Sequence, residues 1–245
     1  TEVMCKRINS PILAIFCVVL AGCFATPATH VPIPSIETIS TVKQNDTLII
    51  MLPGRGDSAG TSIREGFEQA GLKHGFDTVA VDAHLGYYKQ RSLLVRLHDD
   101  IIAPARDAGY ENIWMLGISL GGLGALLYAS EYPNEIAGMI LLAPFLGDSS
   151  AIDTIVADGP LENWDGQDEG LKDYEVAIWS YIRDTRTRDD LTPLVLGYGL
   201  SDDMAEDYNR LINMLNPSSV YTLEGGHKWT TWRPLWDRIA KELPL

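Results

Sequence analysis

Cysteine is nearly absent from this 245-residue chain, and the little there is lies at one end: Cys5, Cys17 and Cys23. Beyond Cys23 there is no thiol. Neither a disulfide framework nor a cysteine-ligated metal site can be built there, and stability has to come from core packing. Positive charge is scarce as well. Nineteen Lys and Arg stand against 33 Asp and Glu, a net charge of −14, which argues against nucleic acid as a partner. Long apolar runs are missing too. The stretch Pro11 to Leu20 has ten residues, half of the ~20 that a bilayer-spanning helix requires. There are no internal repeats.

What the amino terminus does contain is a targeting pattern. Lys6 and Arg7 form a basic start, the short apolar stretch follows, and Leu20-Ala21-Gly22-Cys23 closes it, in the order of a signal peptide. Small residues ahead of a cysteine resemble the lipobox of bacterial lipoproteins. The resemblance implies a signal peptide over 1–22, lipid on Cys23, and a protein anchored to a membrane of the cell envelope, outside the cytoplasm. A plain signal peptide, or cleavage farther on near Ala25, is the alternative. Loss of Glu2, Lys6 and Arg7 with the signal makes the remainder one unit more negative, so charge would not draw it to an anionic bilayer. Residues 23–45, rich in Thr, Pro, Ser and Ala, read as the anchor cysteine and a flexible, extended tether. A short edge strand fits within it, near Ile36–Thr41.

From residue 46 to 245 the pattern is that of one α/β domain. Apolar runs at Thr47–Leu52, Thr78–Val81, Ile113–Leu116, Ile136–Leu142, Leu194–Tyr198 and Val220–Leu223 read as strands. Stretches of helical period separate them: Ser62–His74, Arg91–Ala108 with Pro104 as a kink or a new start, Gly122–Ala129 and Trp232–Leu243. This alternation predicts a mostly parallel sheet of about six strands with helices on both faces. Between the fourth and fifth strands the rhythm breaks. An insertion over about 147–190 carries the acidic segment Asp165–Gly170 and a helix at Leu171–Ile182. Insertions there sit as a lid over the carboxyl ends of the strands, where ligands bind in such sheets.

Gly117-Ile118-Ser119-Leu120-Gly121 joins the third strand to its helix. The spacing has a mechanical reason. A residue lifted out of so tight a turn takes a strained backbone, and the residues two before and two after it nearly touch. Only very small side chains fit at those two places, so Gly117 and Gly121 free Ser119 to project from the sheet. Leu120 then opens the helix with its N–H aimed where negative charge would develop.

With that turn on that architecture, the chain resembles the α/β-hydrolase superfamily over about residues 46–243, as a small serine esterase-like member. The resemblance implies the chain order nucleophile, acid, histidine. The base has to come from the loop after the last strand, where Leu223-Glu224-Gly225-Gly226-His227 supplies His227. His84, after the second strand, is the serious competitor; His30, His74 and His98 sit in the tether or in flanking helices. In the family the acid commonly follows a glycine by three residues. Gly199-Leu200-Ser201-Asp202-Asp203 then points to Asp202, with Asp203 as the other candidate and Asp148 a distant third. An oxyanion hole would join the Leu120 N–H to one from the loop after the first core strand. That loop begins Pro53-Gly54-Arg55, where the family often has His-Gly; by position Arg55 is the donor and Gly56 the second choice. Tyr87, Tyr88, Trp164, Trp179 and Trp229 are candidates for an acyl pocket, although such aromatics more often pack the core.

The function implied is hydrolysis of a small-molecule carboxylic ester through an acyl-enzyme, by Ser119, Asp202 and His227, with no metal and no cofactor. The same triad would serve an acyltransferase, a thioesterase or a peptidase. A non-catalytic, lipid-anchored binding protein on the same fold is the alternative of a different class.

Overall fold

The computed structural model describes residues 26–157, 159–167, 169–186 and 192–243; the signal-peptide stretch and Cys23 lie outside them. Seven strands make one sheet: β1 (Ser35–Thr38), β2 (Thr47–Leu52), β3 (Asp77–Val81), β4 (Asn112–Ile118), β5 (Gly138–Leu142), β6 (Leu194–Gly199) and β7 (Ser219–Leu223). Their order is β1-β3-β2-β4-β5-β6-β7. Strands β2 to β7 run parallel, and β1 pairs antiparallel with β3, Ser35 opposite Val81. Strands β2, β3, β5 and β6 are buried along their whole length. Both faces are covered, so these strands are largely continuous in apolar residues rather than alternating.

The helices are α1 (Ala59–Arg64), α2 (Phe67–Lys73), α3 (Leu85–Lys89), α4 (Leu93–Leu97), α5 (Ala103–Asp107), α6 (Leu120–Glu131), α7 (Ser149–Ala157), α8 (Asp173–Arg186), α9 (Ala205–Leu215) and α10 (Trp229–Glu242). One face of the sheet carries α1, α2 and α10; the other carries α4, α6, α8 and α9. Two of the expected helices are divided. Over 62–74 the chain forms α1 and α2, because Gly66 turns it at φ +76°. Over 91–108 a π turn at His98–Ile102 separates α4 from α5. Pro104 has no N–H to return to the preceding turn, and a widened turn absorbs that missing bond.

The six strands read from the sequence are all present. The seventh, β1, is the short edge strand expected near Ile36–Thr41; the rest of the segment read as a flexible tether is, where described, fastened to the domain. The His30 N–H donates to the Tyr87 hydroxyl at 2.9 Å, and the N–H of buried Ile33 donates to Asp100 at 2.8 Å. Extended, proline-rich backbone can serve as an edge strand as readily as a linker. The insertion is also anchored. Trp179 of α8 is fully buried and its indole N–H donates to the Leu146 carbonyl at 3.0 Å. Glu175, 1% exposed, accepts the backbone N–H groups of Asp148 and Lys172.

At the amino edge of the strands one carboxylate gathers three donors. Asp77 accepts the Ser40 N–H at 2.8 Å, the Asn45 amide at 2.7 Å and the Tyr110 hydroxyl at 2.8 Å. Burial, then the Asp77 carboxylate, hold the Tyr110 phenol above its usual range. A cavity of about 350 Å³ opens beside this cluster, bounded by Lys43, Asp77 and Tyr110. Asp77→Ala leaves the Asn45 amide and the Tyr110 hydroxyl without an acceptor. It is expected to lower the unfolding free energy in urea by about 2–4 kcal/mol; a loss under ~1 kcal/mol would show that the cluster does not hold this edge.

Candidate active site

Ser119 stands between β4 and α6 at the carboxyl edge of the sheet, with φ 50° and ψ −111°. A residue with a side chain seldom takes this conformation, which costs on the order of 1–3 kcal/mol. Its neighbours make it attainable. A Cβ on Gly117 would overlap the Gly121 carbonyl, and one on Gly121 would overlap the Leu52 carbonyl. Hydrogen bonds then fix the turn. The Ser119 N–H donates to the Leu142 carbonyl at 3.0 Å, and its own carbonyl accepts the N–H groups of Gly122 and Phe145, each at 2.9 Å.

Leu120 opens α6, as the sequence implies. Its carbonyl accepts the Tyr88 hydroxyl at 3.0 Å. Gly124 leaves room for that hydroxyl, which lies 2.5 Å from where a Gly124 Cβ would be. Burial pushes the Tyr88 phenol above its usual range, so it stays a donor. On the other side, the point a Gly54 Cβ would occupy is 3.8 Å from Ser119 Cβ. The loop after β2 therefore passes beside the serine, and Arg55 follows directly, exposed.

Asp202 and His227 meet. The Asp202 side chain is fully buried, and its Oδ2 lies 2.9 Å from His227 Nδ1. Its Oδ1 accepts the Met204 N–H at 3.0 Å. A carboxylate can only accept, so Nδ1 carries the proton and Nε2 is left as the basic nitrogen. Asp203 is exposed; of the two adjacent acids, Asp202 is the one that reaches the imidazole. The chain permits this by a second close crossing. A Cβ on Gly199 would overlap the Gly225 carbonyl, which accepts the Ser201 N–H at 2.8 Å. Gly225 is at φ 137°, open to glycine and rarely to other residues. Trp232 stands perpendicular to the imidazole, centroids 4.9 Å apart. Among the described residues no hydrogen bond links the Ser119 hydroxyl to His227, whose loops leave strands three places apart in the sheet.

The rival candidates are otherwise engaged. His84 caps α3, its Nδ1 accepting the Gly86 N–H at 3.1 Å. His74 pairs with Asp237, and His98 with Asp99 while stacked on Tyr132. Asp148 pairs with Lys172 and holds that ammonium above its usual range. Of the aromatics proposed for an acyl pocket, Tyr87, Trp164 and Trp179 are buried in the core. Phe145, whose N–H holds the serine, meets Tyr174 of the insertion at 6.3 Å between ring centroids. Sequence reasoning passed over the Tyr88 contact and over Asp57, which closes the loop after β2. Gly124, one turn into a helix, was the available sign of the first.

Residues 47–170, about half of the chain, match the alpha/beta hydrolase fold family, and the protein belongs to it. No curated protein sequence matches it. Solved structures share the fold at low identity. Est1E from Butyrivibrio proteoclasticus, with ferulic acid bound, is 19% identical over 86% of this chain and 93% of that one, TM-score 0.60. An S-formylglutathione hydrolase from Staphylococcus aureus is 16% identical over 83% and 82%, TM-score 0.57. A monoacylglycerol lipase from Paleococcus ferrophilus is 16% identical over 86% and 97%, TM-score 0.55.

The serine turn yields its own expectation. Gly121→Ala drives a methyl into the Leu52 carbonyl, a backbone atom that cannot swing aside. We expect about 3 kcal/mol or more of destabilisation in a urea melt, or no folded protein; a variant as stable as the parent would contradict this packing.

Proposed function

We propose that the protein is a serine hydrolase that cleaves a carboxylic ester through an acyl-enzyme. Ser119 is the nucleophile, His227 the general base and then acid, and Asp202 the group that orients the imidazole and balances its charge. One observation carries the reading: a buried carboxylate on Nδ1 of a histidine whose side chain is 30% exposed, at the same sheet edge as a serine held at positive φ.

In this reading His227 Nε2 takes the Ser119 proton as the hydroxyl attacks the ester carbonyl. The amides of Leu120 and Arg55 receive the oxyanion; one such donor is worth on the order of 10²–10³ in turnover. The imidazolium passes its proton to the departing alcohol, and His227 then activates water to release the acid. Base and nucleophile in unliganded sites often close to bonding distance only around substrate. Proteins of this fold named as an S-formylglutathione hydrolase and a monoacylglycerol lipase support acyl hydrolysis as the class without choosing the acyl group.

The proposal extends to the amino terminus. Residues 1–22 are a lipoprotein signal peptide, Cys23 carries the lipid, and the domain is held at a membrane outside the cytoplasm. The pattern from Lys6 through Leu20-Ala21-Gly22-Cys23 supports it. Anchoring is firm only with more than one acyl chain.

With p-nitrophenyl acetate, Ser119→Ala should lose at least about 10³-fold in kcat and Asp202→Asn about 10²–10⁴-fold, while Asp203→Asn stays within about twofold. Undiminished turnover by Ser119→Ala would reject the nucleophile, and equal losses at the two aspartates would reject the acid. For the anchor, mass spectrometry of the protein from its native membrane should find a lipid-modified amino-terminal Cys23. An unmodified first residue, or one beyond Cys23, would overturn it.

A further inference from the structure

The segment that follows Cys23 is fastened from its first described residue. The Lys89 ammonium donates to the Thr26 hydroxyl at 3.0 Å, and the Thr29 hydroxyl donates to the Gln90 side chain at 2.7 Å. The His30 N–H donates to the Tyr87 hydroxyl, which donates in turn to the His30 carbonyl at 3.1 Å. A Cβ on Gly86 would overlap the Pro27 carbonyl, so a glycine there lets the segment lie close. Gly86, Tyr87 and Lys89 belong to α3, and Gln90 caps it. Farther along, Asp100 holds Ile33, and the Asp82 N–H donates to the Pro34 carbonyl at 2.8 Å.

The contacts with α3 lie at the edge of the sheet that carries the serine. Helix α3 follows the carboxyl end of β3, and β3 and β4 both run parallel to β2. From the same helix the Tyr88 hydroxyl reaches the carbonyl of Leu120, the residue after Ser119. One five-residue helix thus touches both the amino-terminal segment and the serine turn. Two exposed apolar side chains lie on this edge as well, Val31 at 75% and Leu200, before Asp202, at 50%. Val42, 94% exposed, lies at the opposite edge, after β1 and before β2.

Chain length then sets a limit. Cys23 is three steps of chain from Thr26, and three steps span at most about 11 Å. A tether free from Cys23 to Asp46 would reach up to about 80 Å, and the domain would turn freely at its end. With residues 26–34 docked, the domain stays close to its anchor, and the edge nearest the anchor is the one with Ser119.

We propose that residues 26–34 are a strap that holds the Ser119 edge of the sheet against the bilayer, and that the substrate is an amphipathic ester seated in that bilayer. The proposal rests on lipid at Cys23 and on Ser119 as nucleophile; it adds the orientation and the substrate class. An ester whose acyl chain lies in the membrane meets the serine without leaving it.

The test uses the lipidated protein in phosphatidylcholine vesicles. The chain beyond Cys23 has no thiol, so Val31→Cys and Val42→Cys each accept a single fluorophore. With nitroxide-bearing lipid in the vesicles, the label at 31 should be quenched and the label at 42 should not. Insertion of about twenty Gly/Ser residues between Phe24 and Ala25 lets the docked domain stand off by about 25 Å. That insertion should abolish quenching at 31. It should also lower turnover of p-nitrophenyl dodecanoate carried in the vesicles about fivefold or more, with p-nitrophenyl acetate in water within about twofold. Equal quenching at the two positions, stronger quenching at 42, or unchanged dodecanoate turnover after the insertion would each overturn the proposal. Protein that does not sediment with the vesicles would mean that the anchor reading has failed, and this proposal with it. Retained turnover in Ser119→Ala would mean that the hydrolase reading has failed, and the quenching would still decide the orientation.

Discussion

Backbone lying directly on backbone is the constraint from which this site follows. It occurs twice at the carboxyl edge of the sheet. At the first crossing Gly117 meets Gly121, and Gly121 meets Leu52; at the second Gly199 meets Gly225. The first lifts Ser119 out of the sheet at φ 50°. The second lays the loop after β7 across the loop after β6, which brings His227 onto Asp202. A side chain at Gly117, Gly121 or Gly199 would occupy space already filled by a carbonyl, and one at Gly225 would meet the Thr231 hydroxyl. Neither crossing is loose, because each is closed by backbone hydrogen bonds between 2.8 and 3.0 Å.

The rest of the molecule makes those crossings rigid. Strands β2, β5 and β6 are buried end to end, so the loops that leave them start from fixed points. Glu175 and Trp179 pin the insertion to the segment after β5. Phe145 in that segment holds the Ser119 carbonyl. The insertion is thus coupled to the serine through one short stretch of chain. Tyr88, reaching the Leu120 carbonyl past Gly124, fixes the opening turn of α6 from the opposite side.

Much of this was legible in the sequence, for particular reasons. Unbroken apolar runs marked the six parallel strands, since strands covered on both faces need no alternation. The serine turn was legible because its geometry admits few residue types. The pair Gly225-Gly226 marked the loop that bends back. The choice between Asp202 and Asp203 rested only on spacing from Gly199, and contact with His227 distinguishes them. What escaped were features decided by distant partners. Strand β1, expected near Ile36–Thr41, forms at Ser35–Thr38, but the bonds that fasten the segment before it, from His30 to Tyr87 and from Ile33 to Asp100, join residues far apart in the chain. Gly66 and Pro104 were visible, but a sequence does not say whether a glycine breaks a helix or a proline widens one.

The central claim is that Ser119 becomes acylated by the substrate. The most direct measurement is peptide mass spectrometry of protein quenched in acid during turnover of a p-nitrophenyl ester. The account predicts one acyl group, of the substrate's mass, on the peptide that contains Ser119, and none when Ser119→Ala is treated in the same way. Steady hydrolysis with the acyl group on another residue would contradict it.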